Sequence, residues 1–168
     1  MPAKKAIERA KKDKREGKSA STQAGEFVRE EIDHIRQGKH GARSTKQAIA
    51  IGLSEARRAG VDLPPPKKGK ASSKTVKRAK RDIAAGKKGA ARHPSAKRAR
   101  ATKKALKREG HAAASKQALS KHARKAARKR TAGQRSAAAK KAARTKGAKE
   151  RSAAARKAAR TRAENRKR

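Results

Sequence analysis

The strongest constraint on how this chain can fold is its charge. Among 168 residues, 54 Lys and Arg stand against 13 Asp and Glu, which gives a formal net charge of +41. Self-repulsion at this density opposes a compact state unless a polyanion neutralises it. Large apolar side chains are scarce, because most of the 33% hydrophobic content is alanine and Phe27 is the single aromatic residue. The sequence therefore predicts one small packed unit joined to a long cationic region.

The charge is divided unevenly along the chain. Residues 1–63 contain 15 basic and 9 acidic residues, whereas residues 64–168 contain 39 basic and 4 acidic residues. Residues 21–63 alone are nearly neutral, with 7 basic and 6 acidic residues, and they hold most of the large apolar side chains. This nearly neutral stretch is the best candidate for a packed core.

The pattern of residues 21–63 predicts a helical hairpin. Ser21 or Thr22 can cap a first helix, and the glycines of the GKHG segment at 38–41 can end it with a left-handed turn. The STKQ segment at 44–47 is a capping box for a second helix, which stops at Gly60. Apolar residues at helical spacing are the predicted hairpin core: Phe27, Val28, Ile32, Ile35, Ile49 and Leu53. A unit of about 40 residues is marginal alone, so a homodimer through the hairpin or a DNA partner would help to hold it.

Composition divides the chain into five segments. A basic N-terminal arm (1–20) precedes the hairpin (21–63), and a linker rich in Pro, Lys and Ser (64–74) follows it. Residues 75–110 resemble a degenerate hairpin that kept its turn residues, Gly86, Gly89 and Ala90, and lost its core, because Lys, Arg and Ala replace the acidic and apolar residues. Residues 111–168 form a Lys/Arg/Ala-rich tail. The predicted fold class is all-α: a short helical hairpin followed by a long basic arm that is partly disordered or partly helical.

The tail repeats itself every 16 residues. Two basic residues, two alanines and an arginine recur at 124–128, 140–144 and 156–160. One serine recurs at the same interval, each placed to cap a short helix: Ser120, Ser136 and Ser152. On such helices the basic residues share one face and the alanines lie mostly on the other, so a basic stripe could follow a phosphate backbone.

Basic side chains of the tail and of residues 103–108 are the predicted phosphate contacts. They are Arg124, Lys125, Arg128, Lys140, Lys141, Arg144, Arg156, Lys157, Arg160, Lys103, Lys104, Lys107 and Arg108. Single-strand binding usually needs aromatic platforms for base stacking, and Phe27 is assigned to the hairpin core. The expected partner is therefore duplex DNA, with RNA only mildly disfavoured.

No catalytic site, metal site or cofactor is predicted. The chain has no cysteine, and its five histidines are scattered, although His34 and His40 flank a turn and give a weak signal for zinc. No glycine-rich loop has the spacing of a phosphate-binding loop. Five acidic residues are expected to pair with Arg and Lys at helical spacing: Glu26, Glu30, Glu31, Asp33 and Glu55. No apolar run is long enough for a membrane span or a signal peptide, so we expect a cytoplasmic protein of the nucleoid.

Two parts of the chain resemble known proteins. Residues 25–60, with the segment KQAIAIGLSEA at 46–56, resemble a family of small uncharacterised bacterial proteins. This resemblance implies a bacterial origin and no established activity; Gly52 stands where the family tends to have alanine, which weakens the helix or permits close packing. Residues 67–168 are similar in composition to the Lys/Ala-rich tails of linker histones and bacterial histone-like proteins, which implies coating and compaction of DNA.

These observations together predict a nucleoid-associated, histone-like protein. It would bind duplex DNA mainly through phosphates, with little sequence specificity. Two alternatives stay open: an RNA-binding or ribosome-associated basic protein, and an adaptor whose hairpin binds a protein partner.

Overall fold

The computed structural model describes residues 4–67, 69–88, 95–145 and 147–166. Within these ranges the secondary structure is entirely helical, with no strand, as the all-α prediction requires. The helices are α1 (Lys4–Arg15), α2 (Ala20–Arg36), α3 (Thr45–Arg58), α4 (Ser73–Lys87), α5 (Ala96–Lys107), α6 (Lys116–Arg128), α7 (Ala132–Thr145) and α8 (Ala148–Arg166), with a 3-10 helix at Ala112–Ala114.

The prediction of a hairpin followed by a partly disordered arm is wrong. Helices occupy the described residues on both sides of the hairpin, from α1 to α8. The physical reason is local, because Ala, Lys and Arg are good helix formers and capping residues start several of the basic helices. The chain forms two compact units, Met1–Ser120 and Lys121–Arg168. Nowhere in the described ranges is a helix both long and apolar enough to cross a membrane.

The first hydrophobic cluster is built around Phe27, whose side chain is 1% exposed. Ala6 and Ala10 of α1 pack against it from one side, and Ala56 of α3 and Val61 contribute to the same cluster. The N-terminal segment, which the sequence suggested as a basic arm, is therefore an amphipathic helix that covers α2. Its exposed positions carry the lysines, and its alanines face the core.

The contact between α2 and α3 depends on small residues. Ala48, Gly52 and Ala56 are buried and recur every four residues, so they lie on one face of α3. A Cβ atom at position 52 would lie 2.7 Å from the Cα atom of Val28, which is too close for any side chain. Of the predicted hairpin core, Phe27, Ile32 and Ile35 are buried, whereas Val28, Ile49 and Leu53 are half-buried.

The second hydrophobic cluster joins the hairpin to a distant segment. Ile32, Ile35, Ala42 and Ala48 pack with the fully buried Ala114 of the 3-10 helix. Two partly buried residues from the same region, Ala113 and Leu119, extend this cover. The apolar face of the hairpin is thus covered by residues of its own chain.

Hydrogen bonds hold this segment in place. The Arg36 Nε–H donates to the Ala114 carbonyl at 2.9 Å, and the Thr45 hydroxyl donates to the Ala113 carbonyl at 2.7 Å. The Gly41 amide donates to the Leu106 carbonyl at 2.9 Å, and the Ala42 amide donates to the Gly110 carbonyl at 3.1 Å. The docking also restricts the turn residues, because a Cβ atom at Gly41 would collide with the Glu109 carbonyl and Ala42 is buried in the second cluster.

Helix α4 packs on α3, although the sequence suggested a degenerate hairpin that had lost its core. The Ser54 hydroxyl donates to the Asp82 carboxylate at 2.7 Å, and Arg58 pairs with the same carboxylate at 3.1 Å. Gly86, expected in the turn of the degenerate copy, is a residue of α4. The remaining turn residues of that copy, Gly89 and Ala90, lie outside the described residues, as does His93.

The start and end signals of the hairpin were mostly read correctly. The Ser44 hydroxyl accepts a hydrogen bond from the Gln47 amide at 3.2 Å, so the capping box is confirmed. Gly38 and Gly60 follow the ends of α2 and α3 with positive φ angles of 73° and 86°. The predicted start of the first helix is wrong, because α2 begins at Ala20 after Ser19, two or three residues earlier than a cap at Ser21 or Thr22 requires.

We predict opposite effects for alanine at two helical glycines. Gly52→Ala should destabilise the protein by about 1–2 kcal/mol, because the overpacking cost at Val28 exceeds the gain of about 1 kcal/mol in helix propensity. Gly25→Ala is the matched control in α2, since a Cβ atom there has no neighbour within 4 Å. It should stabilise by about 0.5–1 kcal/mol. Chemical denaturation followed by circular dichroism measures both; equal stabilisation of the two variants would contradict the close approach of α2 and α3.

Candidate nucleic-acid interface

Most acidic groups of the first three helices and of the loop after α1 have a basic partner. Arg9 of α1 pairs with Glu26 of α2 at 3.5 Å, and Lys18 pairs with Asp13 at 2.8 Å and with Glu16 at 2.7 Å. The hydrogen bond from Lys18 holds the pKa of Glu16 below its ordinary value. In this part of the chain, basic side chains therefore contribute less uncompensated charge than their number suggests.

The region from α5 onward has few acidic groups to balance its cations. Residues 95–168 contain Glu109, Glu150 and Glu164 as their only acidic residues, and Glu109 pairs with Arg43 at 3.3 Å. All thirteen predicted phosphate contacts are exposed: Lys103, Lys104, Lys107, Arg108, Arg124, Lys125, Arg128, Lys140, Lys141, Arg144, Arg156, Lys157 and Arg160. They lie on α5, α6, α7 and α8, or directly after α5 in the case of Arg108.

The 16-residue repeat corresponds to one helix per repeat. Helices α6, α7 and α8 begin at Lys116, Ala132 and Ala148, which are 16 residues apart. Each basic pair therefore occupies the same position in its helix, eight residues after the start. The repeat places equivalent cationic groups at equivalent points of successive helices.

The capping serines of the repeat were assigned wrongly. Ser120, Ser136 and Ser152 lie inside α6, α7 and α8, not at their starts. The caps lie five residues earlier. The Ser115 hydroxyl accepts from the Ala118 amide at 3.1 Å, and Thr131 and Gln134 form a reciprocal capping box with both hydrogen bonds at 3.2 Å. The periodicity of the sequence gave the length of the repeat but not the residue at which each helix begins, because several Ser and Thr residues could serve as the N-cap.

One face of α8 shows how such a helix presents its cations. Lys149, Arg156, Lys157 and Arg160 surround a shallow surface with Ser152 and Ala153 at its floor. Lys149 and Arg160 are separated by 11 residue steps along the helix, or about 16 Å along the axis. Lys149 is missing from the predicted phosphate contacts, although it lies seven residues before Arg156 and therefore on the same face of the helix.

Helix α5 carries a similar face in the first unit. Its exposed cations Arg100, Lys103, Lys104 and Lys107 recur at spacings of three and four residues. Arg100 was not among the predicted contacts. The Ser95 hydroxyl caps the start of this helix by accepting from the Arg98 amide at 3.4 Å.

The tail helices bury nothing. Across 121–145 and 147–166, every side chain that the structure describes is exposed or half-buried, alanines included. These helices are therefore held by helix propensity and caps, not by a core. Small exposed alanines beside the cations would allow a close approach to a partner.

A second group of chemically active side chains lies at the end of α2. Ligand atoms of Glu31, His34 and His40 lie within 4.8 Å of one another, so the structure brings together the two histidines that gave only a weak signal in the sequence. Glu31 is 2% exposed and faces His40, with its Oε2 atom 3.5 Å from the His40 Nε2 atom. Burial raises the pKa of Glu31 to about 7, although His40 acts in the opposite direction.

The predicted pairing of acidic residues holds only in part. Asp33 and Arg36 lie 4.0 Å apart on the same helix, as expected. Glu26 instead pairs with Arg9 of α1, Glu30 lies 3.3 Å from His34, and Glu31 faces His40. The partners of Glu26 and Glu31 depend on the packing of α1 and on the path of the turn after α2, whereas Glu30 pairs at the expected spacing of four residues but with a histidine instead of Arg or Lys. Burial also raises the pKa of Glu55.

Comparison with known proteins identifies one related family. Residues 3–68 match the sequence profile described as "Family of unknown function (DUF6496)". This is consistent with the resemblance of residues 25–60 to a small uncharacterised family, and it adds α1 and the segment after α3. No curated protein and no solved structure matches the chain. The likeness of residues 67–168 to histone-like tails therefore rests on composition alone.

The cap assignment of α7 predicts different effects for two hydroxyl residues. Thr131→Ala should destabilise the start of α7 by about 1 kcal/mol, because it removes the cap of the Gln134 amide. Amide hydrogen exchange of residues 132–135 should become about fivefold faster. The matched control, Ser136→Ala inside the helix, should leave exchange unchanged or slower, since alanine is the better helix former. Faster exchange in the control alone would restore Ser136 as the cap.

Proposed function

We propose that this chain binds duplex DNA through phosphate contacts made by the exposed Lys and Arg side chains of α5 to α8. The observation that carries the proposal is the repeated placement of cations. Three successive helices start 16 residues apart and carry their basic pairs at equivalent positions. Positive charge at regular helical positions is what a uniform polyanion can match.

The mechanism is electrostatic. Each phosphate neutralised by a Lys or Arg releases condensed counterions, which drives binding and makes it depend steeply on salt. A helix such as α7, with 14 residues, is about 21 Å long. The duplex carries one charge per about 1.7 Å of axis, so roughly 12 phosphate charges lie within that length. The short break between α7 and α8 would let each helix align separately with the DNA backbone.

The same features argue for binding without sequence preference. Direct readout of bases needs Arg, Asn or Gln held rigidly against base edges, and the cations of α7 and α8 lie on helices without a core to hold them rigidly. Aromatic side chains for stacking on single strands are missing from residues 28–168. Coating and compaction of DNA in a bacterial nucleoid is the role that this chemistry fits.

Removing three cations from α8 tests the proposal. The variant R156Q/K157Q/R160Q should lower the slope of log affinity against log salt by about 2.7, because each phosphate contact contributes about 0.9. The matched control K4Q/K5Q/K11Q removes the same charge from exposed positions of α1. Its slope should change much less, because α1 lies outside the helices α5 to α8 that are proposed to contact phosphates. Fluorescence anisotropy with a short duplex measures both; equal slopes for the two variants would refute localised binding by the tail.

A truncation gives an independent test. Deleting 121–168 removes the second unit but keeps Ala113, Ala114 and Leu119, which cover the hairpin core. The truncated protein should stay folded and lose most of its affinity for any duplex. Unchanged affinity would instead show that the second unit is dispensable and that the first unit, which keeps α5, binds the duplex.

The choice of nucleic acid is tested by competition. Two unrelated duplex sequences should bind within about a factor of ten of each other, far less than the roughly 10³–10⁷ of sequence-specific proteins. Structured RNA at the same salt concentration and the same phosphate concentration should compete less well than duplex DNA. RNA that displaces the duplex completely would reassign the protein to RNA binding.

A further inference from the structure

We propose that Glu31, His34 and His40 form a binding site for a divalent transition-metal ion, with Zn²⁺ as the expected occupant. The site lies at the end of α2 and is separate from the cationic helices, so it does not depend on the proposed function. Three properties support the site: the placement of the three side chains, the burial of Glu31 and the ligand chemistry.

The backbone brings the three residues together. Glu31 and His34 are three residues apart on α2, so they share one face of the helix. Gly38 then adopts a left-handed conformation, with φ of 73°, and the chain turns back so that His40 faces the same point. Any residue other than glycine would be strained in this left-handed backbone conformation.

The distances are close to those of a metal site. Zinc binds nitrogen and oxygen ligands at about 2.0–2.2 Å in a tetrahedron, which places neighbouring ligand atoms about 3.4 Å apart. The His40 Nε2 atom and the Glu31 Oε2 atom are already 3.5 Å apart. All three residues have ligand atoms within 4.8 Å of one another, so rotamer adjustments of about 1 Å complete the geometry.

Neighbouring oxygen atoms can orient both histidines for a ligand. The His40 Nδ1 atom lies 3.2 Å from the Gly41 carbonyl, and an N–H at this nitrogen donates to it. In neutral His40 with its proton on Nδ1, the Nε2 atom carries the lone pair, and this atom lies on the side of Glu31. A carboxylate oxygen of Glu30 lies 3.3 Å from the His34 Nε2 atom and can orient that ring. Such outer partners of histidine are typical of metal sites.

The Glu31 carboxylate lacks a full set of hydrogen-bond partners within the protein. Its side chain is 2% exposed, and its buried Oε1 atom has no hydrogen-bond partner. Its ion pair is with His40 and not with a Lys or Arg. A buried carboxylate without full hydrogen bonding is costly, and a bound cation would offset this cost.

The ligand set selects the metal class. Two imidazoles and one carboxylate suit zinc and its neighbours, whereas magnesium and calcium prefer oxygen ligands. Three protein ligands leave a coordination position for water. A metal here would also fix the turn at 38–41, whose Gly41 amide bonds the Leu106 carbonyl at the end of α5. Metal binding is therefore expected to stabilise the docking of α5 on the hairpin.

The test uses the untagged full-length protein, treated with nuclease and high salt to remove nucleic acid and with chelator to remove metal. One equivalent of Zn²⁺ at neutral pH should raise Tm by about 5 °C. One equivalent of Co²⁺ should give visible d–d absorption that Zn²⁺ abolishes. Glu31→Gln, His34→Gln and His40→Gln should each weaken Co²⁺ binding about tenfold or more, whereas the exposed control His111→Gln should not.

The variants separate metal binding from folding. Glu31→Gln removes a buried charge, so its metal-free form should be at least as stable as the parent and yet lose the response to Zn²⁺. The proposal is overturned if the parent shows no stoichiometric Co²⁺ spectrum. It is also overturned if the Gln variants at 31, 34 and 40 bind as tightly as the control. DNA affinity of these variants should stay within about twofold of the parent, because no phosphate contact is removed.

Discussion

The close packing of α2 against α3 is the contact to which the rest of the first unit attaches. Small side chains at 48, 52 and 56 let the two helices approach until backbone meets backbone at Val28. Helix α1 then covers α2, α4 covers α3, and the 3-10 helix packs against both. Any side chain at position 52, where the protein has glycine, would separate α2 from α3 and remove the surfaces on which these other helices lie.

Charge is organised around this core. In the first unit, Arg9 of α1 pairs with Glu26 of α2 and Arg58 of α3 pairs with Asp82 of α4, so ion pairs join neighbouring helices. The tail has Glu150 and Glu164 as its only acidic residues, and across 121–145 and 147–166 no described side chain is buried. The packed unit and the cationic tail are separate parts of the chain for an electrostatic reason. A core cannot form at the density of positive charge found in the tail. The proposed phosphate binding uses the charge that the fold leaves unbalanced.

Several features could be predicted from the sequence because they are local. The capping box at Ser44 and the glycines at 38 and 60 act within one helical turn, and the structure has them where the pattern placed them. Features that depend on distant partners were missed. Alanine gives little sequence contrast, so neither the burial of Ala114 nor the packing of α1 could be foreseen from hydrophobic periodicity. The same holds for Glu31, which helical spacing assigned to a surface ion pair.

By itself the sequence determined the helical class, the main helix stops and the unequal division of charge, because propensity, glycine conformation and composition are properties of single residues or short segments. Only the tertiary structure decided which small residues face each other, which segment covers the hairpin and which side chains meet at the end of α2. Those outcomes depend on contacts between residues as far apart as Arg36 and Ala114. Contacts at such separation are formed by packing of the whole unit, and no local pattern encodes them.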